Sequence, residues 1–350
     1  MNLVRLAQPQ DLDALVGLAR QTSYGLTTLT PDADRLSQRL IASASGEAPL
    51  LVMVEPDQGR IVGTAGLMSR VGDAQRVEPF YAYRLERSVH RSKSLNVHHE
   101  VDALYLVKDF NGPTEIGTLF LHSDHRGGGN GRVLSLSRFL LIANQPTRFD
   151  RQVIAELRGV IDEHGRSPFW DGLGRHFFRV DYPVADDLSA RDKRFIAELM
   201  PTHPIYVPLL SAEAQRVIGQ VHPNTAPARR LLEDEGFHFA NMVDIFDAGP
   251  CLRCDRAAIR TIRESSVISV SGYDDSSEST DRIRTLVASA NGPFRMTAIA
   301  TTPSPEGLCL PRDVAEQLEV QPGDDVRVAP VRAISPTTIH PKPAIPETAS

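Results

Sequence analysis

The feature that most constrains the fold of this sequence is a glycine-rich turn between a strand pattern and a helix pattern. The stretch EIGTLFLH predicts a strand over residues 115–122, and apolar residues recur at helical spacing from Val133 to Ile142. The turn between them consists of Arg126, Gly127, Gly128, Gly129, Asn130 and Gly131. Glycines let several backbone N–H groups and the positive end of the helix dipole approach one point. A pyrophosphate fits such a turn, although a plain flexible turn is the alternative.

The rest of the chain predicts alternating short strands and amphipathic helices. PLLVMVE and GRIVGTAGLMSRV predict an antiparallel hairpin, a long loop is expected over residues 72–100, and RQVIAELRGVID predicts a helix. Beyond Asp247 the pattern changes to short β-rich pieces. We therefore expect a large domain over residues 1–250, a small β-barrel-like module over 251–333 and a disordered tail, rich in Pro, Ser and Thr, over 334–350.

Composition excludes several classes of protein. Hydrophobic residues make up 41% of the 350 residues and charged residues 23%, which is typical of a globular protein rather than a disordered one. The net charge of −6, with scattered basic residues, argues against a nucleic-acid partner. No apolar stretch approaches the roughly 20 residues of a membrane-spanning helix, and the first residues do not resemble a signal peptide. We expect a cytoplasmic protein with no membrane partner.

The cysteines predict neither a disulfide framework nor a metal site. There are three, Cys251, Cys254 and Cys309, and the pair in CLRC lacks the second Cys or His pair that zinc needs. No metal is therefore expected.

A second segment gives the glycine turn a more specific interpretation. NTAPARRLLEDEGF, from Asn224 to Phe237, resembles the helix that follows the cofactor loop in the GNAT superfamily of acyltransferases. The spacing R-x-x-G-x-G from Arg126 resembles the acyl-CoA signature of that superfamily, and VRLAQPQDLDAL resembles its first strand and helix. The resemblance implies an α+β fold with a mixed, mainly antiparallel sheet flanked by helices. It also implies an acyl-CoA co-substrate and no tightly bound cofactor.

Longer strings resemble one family within this superfamily, the bacterial arginine N-succinyltransferases. These strings are GTLFLHSDHRGGGNGRVLSLSRF, AELRGVIDEHGRSPFWDGLGRHFF, FIAELMPTHPIY and VIGQVHPNTAPARRLLEDEGF. The resemblance covers most of residues 1–250 and implies transfer of succinyl from succinyl-CoA to L-arginine, the first step of a catabolic pathway. It implies that His222 transfers a proton, that Leu119 contacts succinyl-CoA through its backbone, and that Asn224 belongs to the cofactor-binding residues with the turn 126–131.

The residues that bind the acceptor are less constrained. Carboxylates form the strongest hydrogen bonds with a guanidinium, so the candidates in AELRGVIDEHG are Glu156, Asp162 and Glu163. Each of them could equally be an ordinary charged residue on the surface of a helix. The segment LNVHHE over residues 95–100 departs from an LNVYN-type pattern of the family, which leaves ornithine or another basic amino acid open as acceptor. A non-catalytic subunit that binds CoA is a further alternative. The C-terminal module suggests a homo-oligomer or a pairing with a paralogous subunit.

Overall fold

A computed structural model describes residues 1–22, 26, 28–56, 58–72, 79–109, 112–189, 191–274, 283–302, 304 and 306–332. The strands are β1 Leu3–Leu6, β2 Leu50–Val54, β3 Ile61–Met68, β4 Phe80–Ser92, β5 Val97–Asp109, β6 Thr114–Leu121, β7 Gln152–Glu156, β8 Ile205–Tyr206, β9 His238–Val243, β10 Pro250–Asp255, β11 Ser266–Tyr273, β12 Ile283–Ser289, β13 Arg295–Thr301, β14 Leu308–Leu310 and β15 Asp325–Pro330. The α-helices are α1 Leu12–Ala19, α2 Ala33–Ser45, α3 Asn130–Asn144, α4 Arg175–Phe178, α5 Tyr182–Ser189, α6 Arg194–Leu199, α7 Ala212–Val217, α8 Ala226–Asp234, α9 Arg260–Arg263 and α10 Arg312–Leu318.

The strands in the described ranges form one 15-stranded sheet. Its order is β14-β11-β15-β12-β13-β1-β2-β3-β6-β7-β10-β9-β4-β5-β8. Nearly all neighbours are antiparallel, and the parallel pairs are β6 with β7 and β11 with β14. The expected α+β class, with a mainly antiparallel sheet flanked by helices, is confirmed. None of the helices in these ranges is both long and apolar enough to cross a membrane.

Helices cover both faces of the central strands because those strands are apolar on both sides. Along β2, Leu51 and Met53 belong to the core built around α3, whereas Leu50 and Val52 pack with α1 and α2. Helix α3 is itself buried around most of its circumference. This burial fixes the position of its N-terminus, where the glycine turn lies.

Two predicted elements were wrong. The stretch RQVIAEL was expected to be helical, but residues Gln152–Glu156 form β7, since a short apolar run buried on both faces does not show which period it follows. The loop expected over residues 72–100 contains β4, which pairs with β5 from Phe80 to Ser92. The outer part of this hairpin is exposed and polar, so it lacks the apolar alternation that marks a strand. The segment 95–100 lies at its tip.

The C-terminal strands continue the main sheet. Val4 of β1 pairs with Met296 of β13, and the hydroxyl of Thr297 donates to the carbonyl of Asn2 at 3.0 Å. The boundary predicted at residue 250 coincides with the first residue of β10, which pairs with β7 and β9. The three-part division and the closure of the module into a barrel stay predictions. The tail 334–350 lies outside the described residues.

Candidate active site

The parallel strands β6 and β7 separate after a short pairing, and the gap between them is here called the cleft. Their pairing is limited to Thr114 with Val153 and Glu115 with Ile154, and β6 continues for six more residues. The register of β6 against β3 shifts opposite Ala65, and Thr118 at this bulge has a φ of +51°. A bulge bends its strand and increases the local twist. The edge of β6 from Ile116 onward, on the side of β7, therefore has no neighbouring strand within the described ranges.

The glycine turn follows this open edge directly. Gly127, Gly128 and Gly129 have φ values of +133°, +54° and +78°, a region that side chains with a Cβ rarely adopt. Arg126 is exposed, and its Nε donates to the carbonyl of Leu121 at 3.0 Å. Asn130 begins α3, and its amide donates to the carbonyl of His125 at 3.1 Å. The turn is thereby held in a conformation that presents backbone N–H groups at the positive end of α3.

A cationic side chain from the C-terminal strands contacts this turn. Arg284 of β12 donates from Nη1 to the carbonyl of Gly128 at 2.5 Å, and a Cβ built on Gly129 would lie 2.5 Å from the same nitrogen. No acidic side chain in the described part of the chain pairs with Arg284. Sequence reasoning missed this residue because 156 positions separate it from Gly128 and no motif surrounds it.

His222 lies at the end of β7. Its backbone N–H donates to the carbonyl of Arg158 at 2.9 Å, and its Nδ1 accepts from the N–H of Asn224 at 3.1 Å. Partial burial, and then the charge of Arg158, lower the pKa of His222 below its ordinary value. These surroundings favour the neutral ring, and because Nδ1 accepts a hydrogen bond, the proton of the neutral ring is on Nε2.

The two sequence segments that suggested a function lie side by side. Arg132 of α3 pairs with Asp234 of α8 at 3.2 Å, across 102 positions of sequence. The rings of Phe139 and Phe237 are 5.9 Å apart within the same core. Leu119 is half-buried and packs against this core. The structure thus groups Leu119, the turn 126–131, Asn224 and His222 round one end of β6 and β7.

The three acidic candidates lie in different surroundings. Glu156 is the last residue of β7, and its Oε1 is buried with no hydrogen-bond partner in the described ranges. Burial and then the charge of Glu115 raise the pKa of Glu156 well above its ordinary value. Asp162 and Glu163 are exposed on a turn, where Asp162 accepts the N–H groups of His164 and Arg166 at 2.9 and 2.8 Å. Only Glu156 lies at the cleft.

Further acidic residues surround Glu156 that the sequence did not suggest. Glu115 is a charged residue within the largely apolar strand β6, and this exception to the apolar pattern could have marked it as a candidate site residue. Asp244 and Asp247 are buried at the turn after β9, where Asp247 accepts from the N–H groups of Gly159 and Gly249 at 2.8 Å each. The aspartates hold the turn against the extension of β7, so their role is structural.

Comparison with known proteins identifies the family. A family model described as arginine N-succinyltransferase beta subunit matches residues 2–261, and one described as its C-terminal domain matches residues 267–330. The chain belongs to the arginine N-succinyltransferase family. Arginine N-succinyltransferases of Shigella dysenteriae serotype 1 and Escherichia coli strain K12 are each 43% identical to it over 339 residues, which is 94% of this chain and 97% of theirs.

A solved structure agrees with this assignment. Arginine/ornithine succinyltransferase subunit AI from Pseudomonas aeruginosa is 33% identical, covers 95% of this chain with 99% of its own, and superposes with a TM-score of 0.85. This member of the arginine N-succinyltransferase family is therefore an acyltransferase, as the sequence predicted.

Proposed function

We propose that the chain transfers the succinyl group of succinyl-CoA to the α-amine of L-arginine, giving N2-succinylarginine and CoA. The observation that carries the proposal is the open edge of β6, which runs directly into three glycines with positive φ at the N-terminus of α3. The activity for which the relatives are named, arginine N-succinyltransferase, supports the choice of succinyl group and acceptor. The reaction is then the first step of arginine breakdown through succinylated intermediates.

In this proposal succinyl-CoA is a co-substrate, and no cofactor is tightly bound. Its pyrophosphate contacts the turn of Arg126, Gly127, Gly128, Gly129, Asn130 and Gly131. Its pantetheine amides pair with the open edge of β6 at Leu119, and Asn224 lies on the other side of the arm. A strand edge supplies the N–H and C=O groups that an extended amide chain needs.

His222 is the proposed proton-transfer residue. The neutral α-amine attacks the thioester carbonyl, the C–N bond forms and the C–S bond breaks. The sulfur leaves as a thiolate, and the proton that the amine nitrogen loses ends on this sulfur, so that the products are the amide and the free thiol of CoA. The neutral ring of His222 carries its proton on Nε2, so it donates a hydrogen bond to the developing negative charge. The bond from Asn224 to Nδ1 keeps the ring in this tautomer, which supports a donor role rather than uptake of the amine proton at Nε2.

For the acceptor side we propose Glu156 before Asp162 and Glu163, because only Glu156 is at the cleft. Ornithine is a second candidate acceptor, since the Pseudomonas aeruginosa structure is described as an arginine/ornithine succinyltransferase. That description names a subunit, and the family model names a beta subunit, which supports assembly with a second copy or a paralogous chain. A cytoplasmic location completes the proposal.

The proposal is tested by following thiol release from succinyl-CoA with arginine, ornithine and lysine as acceptors. His222→Ala is expected to lower kcat about a hundredfold or more, because a positioned proton-transfer group contributes that much. His238→Ala, at an exposed position of β9, is the matched control and should retain the wild-type rate. If no amine releases thiol although succinyl-CoA binds, the non-catalytic alternative replaces this proposal.

A further inference from the structure

Two glutamates flank the point at which β6 and β7 separate. Glu115 of β6 is opposite Ile154, and Glu156 follows Ile154 on the same face of β7 because side chains alternate along a strand. A Cβ built on Gly117 would lie 3.9 Å from Oε1 of Glu115, so this carboxylate leans toward the open part of the cleft. Two carboxylates from adjacent strands therefore meet at the base of the cleft.

Neither carboxylate is used by the fold. In the described ranges, Glu115 and Glu156 accept no hydrogen bond and form no ion pair, and Oε1 of Glu156 is shielded from solvent. A buried carboxylate oxygen without a donor is strongly unfavourable in a protein interior. Such an oxygen needs a hydrogen-bond donor, which points to a cationic ligand that brings one.

The surrounding charges leave this region negative. The charged groups whose fields reach the pair are Asp244, Asp247, Arg39 and Lys193, and the buried thiol of Cys251 lies beside Glu156. The guanidinium of Arg39 donates to backbone carbonyls of Pro49 and Leu67, and Lys193 is exposed. Burial raises the pKa of both glutamates, and the charge of Glu115 raises the pKa of Glu156 further. A cation placed between them would remove this repulsion.

We propose that Glu115 and Glu156 form the binding site for the guanidinium of the acceptor and thereby select arginine. The inference rests on the proposed function and extends it to acceptor specificity. A guanidinium is planar and carries five N–H donors, so it can meet two carboxylates from two sides. A primary ammonium offers three donors from one atom and bridges such a pair less completely.

The position of the pair agrees with the length of the substrate. Glu115 precedes Leu119 by four residues, which is about 13 Å along a strand, and its side chain covers about half of that distance toward Gly117. The carboxylate is then about 7 Å from the backbone of Leu119, beside which the pantetheine arm that carries the thioester is proposed to pair. In arginine, the carbon of the guanidinium is five bonds from the α-carbon, a comparable reach.

The test compares Glu156→Gln and Glu115→Gln with Glu316→Gln, an exposed control in α10. Acceptors are L-arginine and L-citrulline, whose neutral ureido group has nearly the shape of a guanidinium. Each cleft variant should raise KM for arginine roughly tenfold or more, since a hydrogen bond to a charged group is lost. KM for citrulline and for succinyl-CoA should stay within about twofold of wild type. Glutamine has the shape of glutamate and carries no charge to bury, so the melting temperatures of the variants should be no lower than that of wild type.

Two results would overturn the inference. The first is an unchanged KM for arginine in both cleft variants. The second is an equal loss of kcat with arginine and citrulline at unchanged KM, which would make the pair a proton acceptor. A second experiment measures the binding of L-arginine by calorimetry in the presence of CoA, so it reports on the guanidinium site without requiring acyl transfer. Arginine that binds wild type and not Glu156→Gln, without turnover by either, would contradict the proposed function and leave the guanidinium site standing.

Discussion

Replacement of Gly128 by alanine tests whether the conformation of the glycine turn is used for binding. Gly128 has a φ of +54°, and a Cβ built there has no atom within 4 Å, so the only cost inside the protein is backbone strain. That strain is about 1–2 kcal/mol for an L-residue in the left-handed region. If the substituted turn relaxes and must be restored when succinyl-CoA binds, KM rises between about fivefold and thirtyfold. A methyl group that also meets the phosphates would add to this range.

The assay is thiol release at saturating acceptor, with KM for succinyl-CoA and kcat measured separately. Gly323→Ala is the matched control: Gly323 has a φ of +98° and equally open surroundings, but it lies in the turn before β15. Both variants should lose stability by a similar amount, and only Gly128→Ala should raise KM for succinyl-CoA, with kcat changed less than threefold. Equal KM values in the two variants would refute the role of this turn in binding.

Three further predictions concern charge. Arg284→Ala should raise KM for succinyl-CoA several-fold in the same assay, because the carbonyl of Gly128 loses its donor; an unchanged KM would exclude that role. Burial raises the pKa of Asp186 from 3.8 to about 7, so wild type should lose stability as pH rises through that interval and Asp186→Asn should not; urea midpoints at pH 5 and pH 8 measure this. Glu235→Ala breaks a buried ion pair with Arg260 and should lower the free energy of unfolding by about 3–5 kcal/mol. Glu233→Ala breaks an exposed ion pair and should lower it by less than about 1 kcal/mol. Similar urea midpoints for the two variants would contradict this prediction.

The sequence predicted the elements that have a strong local signal. The β2–β3 hairpin, strand β6 and the helix that begins at Asn130 follow from apolar periodicity and from the glycines between them. The prediction of a helix in place of β7 was wrong because five apolar-rich residues buried on both faces fit the period of a helix as well as that of a strand. The prediction of a loop in place of β4 was wrong because the outer part of this hairpin is exposed, so its sequence does not alternate between apolar and polar residues.

The site could be predicted only as far as its local motifs reach. The turn at Gly127–Gly129 and the segment of His222 and Asn224 are each contiguous in sequence, so they could be found by spacing and resemblance. Glu115 and Arg284 reach the site through strand pairing and through the packing of β12, and nothing in their neighbours in sequence records those contacts. The hydrogen bond by which Asn224 fixes the tautomer of His222 is likewise a feature of the folded structure that the sequence does not reveal.

The pairing of β1 with β13 has a consequence for biosynthesis. β1 is translated about 290 residues before its partner, which takes roughly 15–60 s at common rates of elongation. During that interval one edge of β1 exposes unpaired N–H and C=O groups, and a strand of another nascent chain can pair with this edge. We expect the yield of folded protein to depend on elongation rate and on chaperones, and chains that stop before Arg295 to aggregate even though the cleft and the glycine turn are already complete.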